Sequence, residues 1–142
     1  MSAWLEFHDS TVVAVSYTST DVEVVLDAYV HRWEAMGDSW KGSGWIQPVR
    51  ILMRDVVDGS IKPVLPIDIS DGRLRVGLIT HDNLVRLPFN ASDAVSLSLQ
   101  LTNADVLEFY GRGVNIDVVG EGRFVEDLPD DLRPTDVGNG WR

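Results

Sequence analysis

The residues able to do chemistry are few, and histidine leads because only three are present: His8, His31 and His81. Two of them stand in the same dipeptide, His8-Asp9 and His81-Asp82. An imidazole beside a carboxylate can share a divalent metal, or act as a base with its orienting acid. Read that way, His8, Asp9, His81 and Asp82 would serve a small metal-dependent or acid–base hydrolase. No spacing ties the histidines together, however, and a His-Asp pair at a strand end is equally a turn in which Asp bonds the backbone. Serine offers less. No Gly-x-Ser-x-Gly elbow occurs, and Gly42-Ser43-Gly44 lacks its spacing. Ser10 adjoins His8 and Asp9, whereas a working triad is assembled in space from independent supports. Gly111-Arg112-Gly113 and Gly120-Glu121-Gly122 are too short to cradle a phosphate.

Binding chemistry is better represented. Five tryptophans are present, and Trp40 and Trp45 fall in a glycine-rich stretch from Gly37 that reads as a loop. An exposed Trp40 would be a platform for a sugar ring, an aromatic ligand or a partner's hot spot, with Trp45 opening the strand beside it. The alternative is that Trp40 folds back as a lid over the core. Arg50, Arg54, Arg73 and Arg75 occupy outward slots of two candidate strands. If those strands are neighbours, they form a basic stripe able to receive a carboxylate, a phosphate or an acidic partner face. The bland alternative is neutralisation by cross-strand acids.

The elements that must position these groups are strands. Val95, Leu97, Leu99 and Leu101 alternate with Ser96, Ser98, Gln100 and Thr102, the pattern of a half-buried strand. Residues 49–54, 74–78 and 114–119 alternate likewise, as do 3–7 and 11–18. Asp58-Gly59 and Asp71-Gly72 have the chemistry of two-residue hairpin turns. The glycine pairs at 111–113 and 120–122 predict a meander of strands near 105–110, 114–119 and 123–125. Residues 21–34 fit two periods. As a strand, Val22, Val24, Leu26, Ala28 and Val30 share a face. As a helix, Val22, Val25, Leu26, Tyr29, Val30 and Trp33 form one stripe, with Thr20 and Glu23 as a capping box. The valines favour the strand. The expectation is an all-β antiparallel sandwich or partly open barrel of about 8–10 short strands. The alternative is α+β, with one helix at 21–34.

Composition bounds the rest. The chain has 142 residues, 22 Asp+Glu against 12 Lys+Arg, and a formal charge of −10. One domain is expected over residues 1–126, followed by a loosely ordered acidic tail at 127–142 that carries Trp141. The acidic field opposes phosphate backbones, so no nucleic-acid partner is expected. No apolar run reaches the ~20 residues of a membrane span, and the first residues do not resemble a signal peptide. Cysteine is absent, which excludes disulfides and zinc–thiolate sites and suits a cytoplasmic setting. No cofactor is implied. These features favour a non-enzymatic binding module for a protein partner or small ligand over an enzyme. Covering an open sheet edge by homodimerisation is a further expectation.

Overall fold

Alternation dominates the chain, and the computed structural model, which describes residues 2–58 and 62–134, is all-β. Three long strands come first: β1 (Ser2–Tyr17), β2 (Val22–Met36) and β3 (Ser39–Met53). The short β4 (Val57–Asp58) precedes β5 (Ile67–Val76), β6 (Ile79–Asp82), β7 (Leu84–Leu87) and β8 (Phe89–Ala91). Then follow β9 (Val95–Leu101), β10 (Val106–Gly111), β11 (Val114–Val118) and β12 (Arg123–Leu128). Every pairing is antiparallel. Of the ambiguous segment 21–34, residues 22–34 lie in β2, so the strand reading holds and the helix does not form. Among the described residues no helix is long and apolar enough to cross a membrane.

The long strands run beyond one partner, and their flanks change along their length. The first half of β1 pairs with β7 and its later part with β5. β3 takes β12 along residues 42–46 and β11 along residues 49–53. Between those stretches lies Pro48, which has no N–H to give a ladder. The Leu84–Ala91 segment pairs with β1 through β7 and with β11 through β8, so it bridges the two flanks of this layer. A second layer has the order β4-β10-β9-β5, with β6 also on β5. Leu74, Leu97, Leu99 and Phe109 from the second layer join Leu26, Val49, Ile51 and Ile116 from the first in one core. Each such side chain contributes roughly 1.5–3 kcal/mol by leaving water.

Several turn expectations fail. Asp71-Gly72 is not a hairpin loop. It lies within β5, where the register against β9 shifts between Ile69 and Asp71. The β5–β6 turn is Gly77-Leu78 instead, with Gly77 at φ 58°. The stretch from Gly37 to Trp45 is not a loop either. Only Gly37 and Asp38 turn, and Ser39 onward is strand paired with β2. The predicted C-terminal meander is also absent: β10 belongs to the second layer, whereas β11 and β12 both flank β3. The Asp58-Gly59 turn and residues 135–142 of the expected tail, Trp141 among them, fall outside the described residues. Of the rest of that tail, Asp127 and Leu128 complete β12, and Asp130–Leu132 form one 3-10 turn.

Candidate functional site

Where β1 passes from β7 to β5 its ladder with β2 breaks. Glu6 pairs with Tyr29 and Thr11 with Asp27, so Phe7, His8, Asp9 and Ser10 bulge opposite Ala28. Bulges re-aim side chains, and Asp9 enters the left-handed region at φ 72°. Ser10 closes the gap. Its buried Oγ donates to the Glu6 carbonyl at 2.5 Å and accepts from the Tyr29 amide at 2.9 Å. Asn83 holds the other side. It accepts from the His8 amide at 2.6 Å and donates to Glu6 Oε1 at 3.4 Å.

Beside this bulge opens a cleft of about 340 Å³, floored by Glu6, Tyr29 and His31 and rimmed by Asp9 and Glu126. Leu84, Leu128 and Leu132 form its apolar wall. The strand register explains the assembly. Glu6 lies opposite Tyr29, His31 opposite Gly44, and Gly44 opposite Glu126. Gly44 leaves room for the phenol, since a Cβ there would overlap the Tyr29 hydroxyl and come within 2.7 Å of its Cζ. His31 Nε2 meets Glu6 Oε2 at 2.9 Å, and the Tyr29 hydroxyl donates to Glu126 Oε2 at 3.1 Å. The rings of Tyr29 and His31 meet edge to face at 5.4 Å. His31 is 6% exposed, and its Nδ1 has no hydrogen-bond partner in the protein.

Burial pushes the Tyr29 phenol well above its ordinary pKa, and the hydrogen bond to Glu126 and the charges of Glu126, Glu6 and Asp9 push the same way. The folded chain therefore binds this proton more tightly than the unfolded one. The associated stability is intact below pH 10 and decays as pH rises beyond it. Absorbance titration near the tyrosinate band should show equal ionisation in wild type and Tyr29→Phe up to about pH 11. A phenolate lost with that variant below this pH would contradict the geometry.

The residues singled out from the sequence do not converge. His8 is exposed, with Nδ1 3.0 Å from the Ser70 carbonyl and Nε2 3.4 Å from Asp9. His81 meets the Phe89 ring at 5.2 Å, and partial burial lowers its pKa. Asp82 pairs with Arg73 at 2.7 Å. Among the described residues no three His, Asp or Glu side chains gather as a metal site. The arginine stripe does not form, because β3 and β5 are separated by β2 and β1. Arg50 lies opposite Asp117 on β11, and Arg54 bonds Asn115 and the Ala91 carbonyl. Arg75 donates to the Gly77 carbonyl. Trp40 packs half-buried on the Trp4–Trp33 cluster, with the Arg133 guanidinium 5.5 Å from its ring. Trp45 carries Arg32 at 4.0 Å and meets Phe124 edge to face, on a separate surface with Lys41.

Glu6, Tyr29 and Glu126 were not singled out from the sequence, and His31 appeared there only as one of three histidines. One signal was available: Tyr29, His31 and Trp33 occupy the alternate positions of the strand whose other face carries Val22 to Val30. The fold and site together define an all-β protein with an acidic, histidine-floored cleft at a bulge between β1 and β2. Comparison of the chain with protein-family models, curated proteins and solved structures finds no match.

Proposed function

We propose that the protein is a non-enzymatic binding module whose ligand enters the cleft over Tyr29 and His31. The observation that carries this reading is the fixed polar floor. Glu6–His31 and Tyr29–Glu126 are bonded pairs held by strand backbone, beside a leucine wall. Small-ligand sites combine such a wall with a few oriented polar groups, and groups already in place lose little entropy on binding. The arrangement offers no ready nucleophile. Ser10 Oγ, the hydroxyl beside His8 and Asp9, is buried and occupied by two backbone groups. The Glu6–His31 pair resembles a base with its orienter, yet the second ring nitrogen is itself buried.

A thermal-shift screen over sugars, nucleotides, small acids, amines and divalent metals tests the reading. A true ligand at 100 times its Kd stabilises the fold by about 2.7 kcal/mol. Tyr29→Phe keeps the ring but removes the hydroxyl at the floor, so it should lose most of the shift. A hit untouched by Tyr29→Phe, or one converted to product on prolonged incubation, would overturn the proposal. So would silence across the whole library.

A further inference from the structure

We infer that the cleft takes an organic cation, a guanidinium or ammonium group carried on an apolar arm. The inference rests on the reading of the cleft as a ligand site and adds the chemical class.

Three carboxylates, Glu6, Asp9 and Glu126, line the space, and none of its lining residues is Lys or Arg. Arg86, in the next register row, lies over the Trp4 ring at 5.9 Å. The only basic group in the lining is His31, whose Nε2 meets Glu6 Oε2 at 2.9 Å. One imidazole faces three carboxylates, so acidic groups outnumber it whichever form the ring takes. The phenol donates to Glu126 and brings no positive charge.

The three acids line one cleft with the Tyr29 phenol, whose hydroxyl donates to Glu126 at 3.1 Å. Their exposure is graded. The Glu6 side chain is 19% exposed at the floor, whereas that of Asp9 is 59% exposed at the rim. A cation entering from solvent meets the rim acids first and the desolvated floor last. Leu84, Leu128 and Leu132 give its carbon arm an apolar wall. The formal charge of −10 draws such a ligand in over longer range.

The test uses the full chain with butylguanidinium, butylammonium, butanol, butyrate and calcium chloride as probes, read by titration of backbone amide NMR shifts. Saturable shifts at Glu6, Tyr29 and Glu126 are expected with the two cations. The double variant Asp9→Asn, Glu126→Gln keeps the Tyr29 hydrogen bond, suits the left-handed backbone at Asp9 and removes two charges. It should weaken both cations by at least about tenfold. In wild type, raising salt from about 0.02 M to 0.5 M should weaken them as well, which keeps the inference testable if the variant fails to fold. The blocked tripeptide acetyl-Gly-Arg-Gly-amide separates the sources: binding as tight as butylguanidinium marks a side chain displayed by a partner, and exclusion marks a free small cation. Either result upholds the class. Butanol or butyrate binding as well as the cations in this cleft would overturn the class while leaving a ligand site in place. Calcium displacing the cations at equal concentration would also overturn it. No saturable shift with any probe would overturn it too, while the binding reading itself is decided by the wider screen and its Tyr29→Phe control.

Discussion

Trp33→Ala is expected to lower the unfolding free energy by about 3–5 kcal/mol in urea denaturation followed by far-UV circular dichroism. Trp33 is fully buried among Trp4, Trp40, Leu84 and Leu128. Its indole lies on Gly42 of the neighbouring strand, where a Cβ would come within 2.8 Å of Cε3. That glycine has no side chain to move into the space a truncation leaves, so the cavity persists and its cost adds to the lost burial. Trp33→Phe should cost less than half as much, because it keeps an aromatic ring and removes an N–H that has no partner. Leu84 and Leu128 belong to both this cluster and the cleft wall. The alanine variant should therefore also blunt any ligand-induced thermal shift. A loss below about 1 kcal/mol would show that this face is not a packed second core.

The same residue explains why β2 looks ambiguous as a sequence. A strand with one covered face alternates cleanly, as β9 does with Val95, Leu97, Leu99 and Leu101 buried. β2 starts that way at Val22, Val24 and Leu26. Its later half is covered on both faces, with Ala28 and Val30 turned to the main core and Tyr29, His31 and Trp33 to the second cluster and cleft. Apolar residues at both parities imitate a helical stripe. Period alone does not distinguish a doubly covered strand from a helix; the valines, stiff at χ1, do.

Turns were less legible than strands because glycine has two uses. Gly37 and Gly77 have positive φ in two-residue turns, as dipeptide chemistry anticipates. Gly42, Gly44 and Gly72 are strand residues where an aromatic side chain of another strand occupies the place of a Cβ. Nothing local separates the two uses, since the crowding atom comes from a distant part of the chain. The candidate site was hidden for the same reason. Tyr29 and Glu126 are 97 residues apart, and their meeting depends on a register across three strands. The conspicuous dipeptide His8-Asp9 marks the bulge that opens the cleft and contributes only Asp9 to its lining.

Gly72→Val carries the second large effect, about 3 kcal/mol of lost stability, at the upper end for overpacking. A Cβ at Gly72 would come within 2.7 Å of Phe7 Cδ2 and closer still to Phe7 Cβ and Cγ. Those atoms sit at the root of the side chain, so rotation about χ1 does not move the nearest of them away. Phe7 is itself fully buried in the bulge of β1, and the carbonyl of Gly72 accepts from the Asn83 amide at 2.8 Å. The valine must therefore displace either the β1 bulge or the Asn83 turn, and both border the cleft. Phe7→Ala alone should cost about 3–5 kcal/mol, as a large aromatic lost from a core. The double variant removes the overlaps with Cγ and Cδ2 but keeps Phe7 Cβ against the new side chain, so the two costs should fall short of their sum by part of the overpacking cost, about 1 kcal/mol. Simple additivity in urea denaturation would mean that the two residues do not compete for one volume, and the packing that ties β5 to the bulge would have to be abandoned.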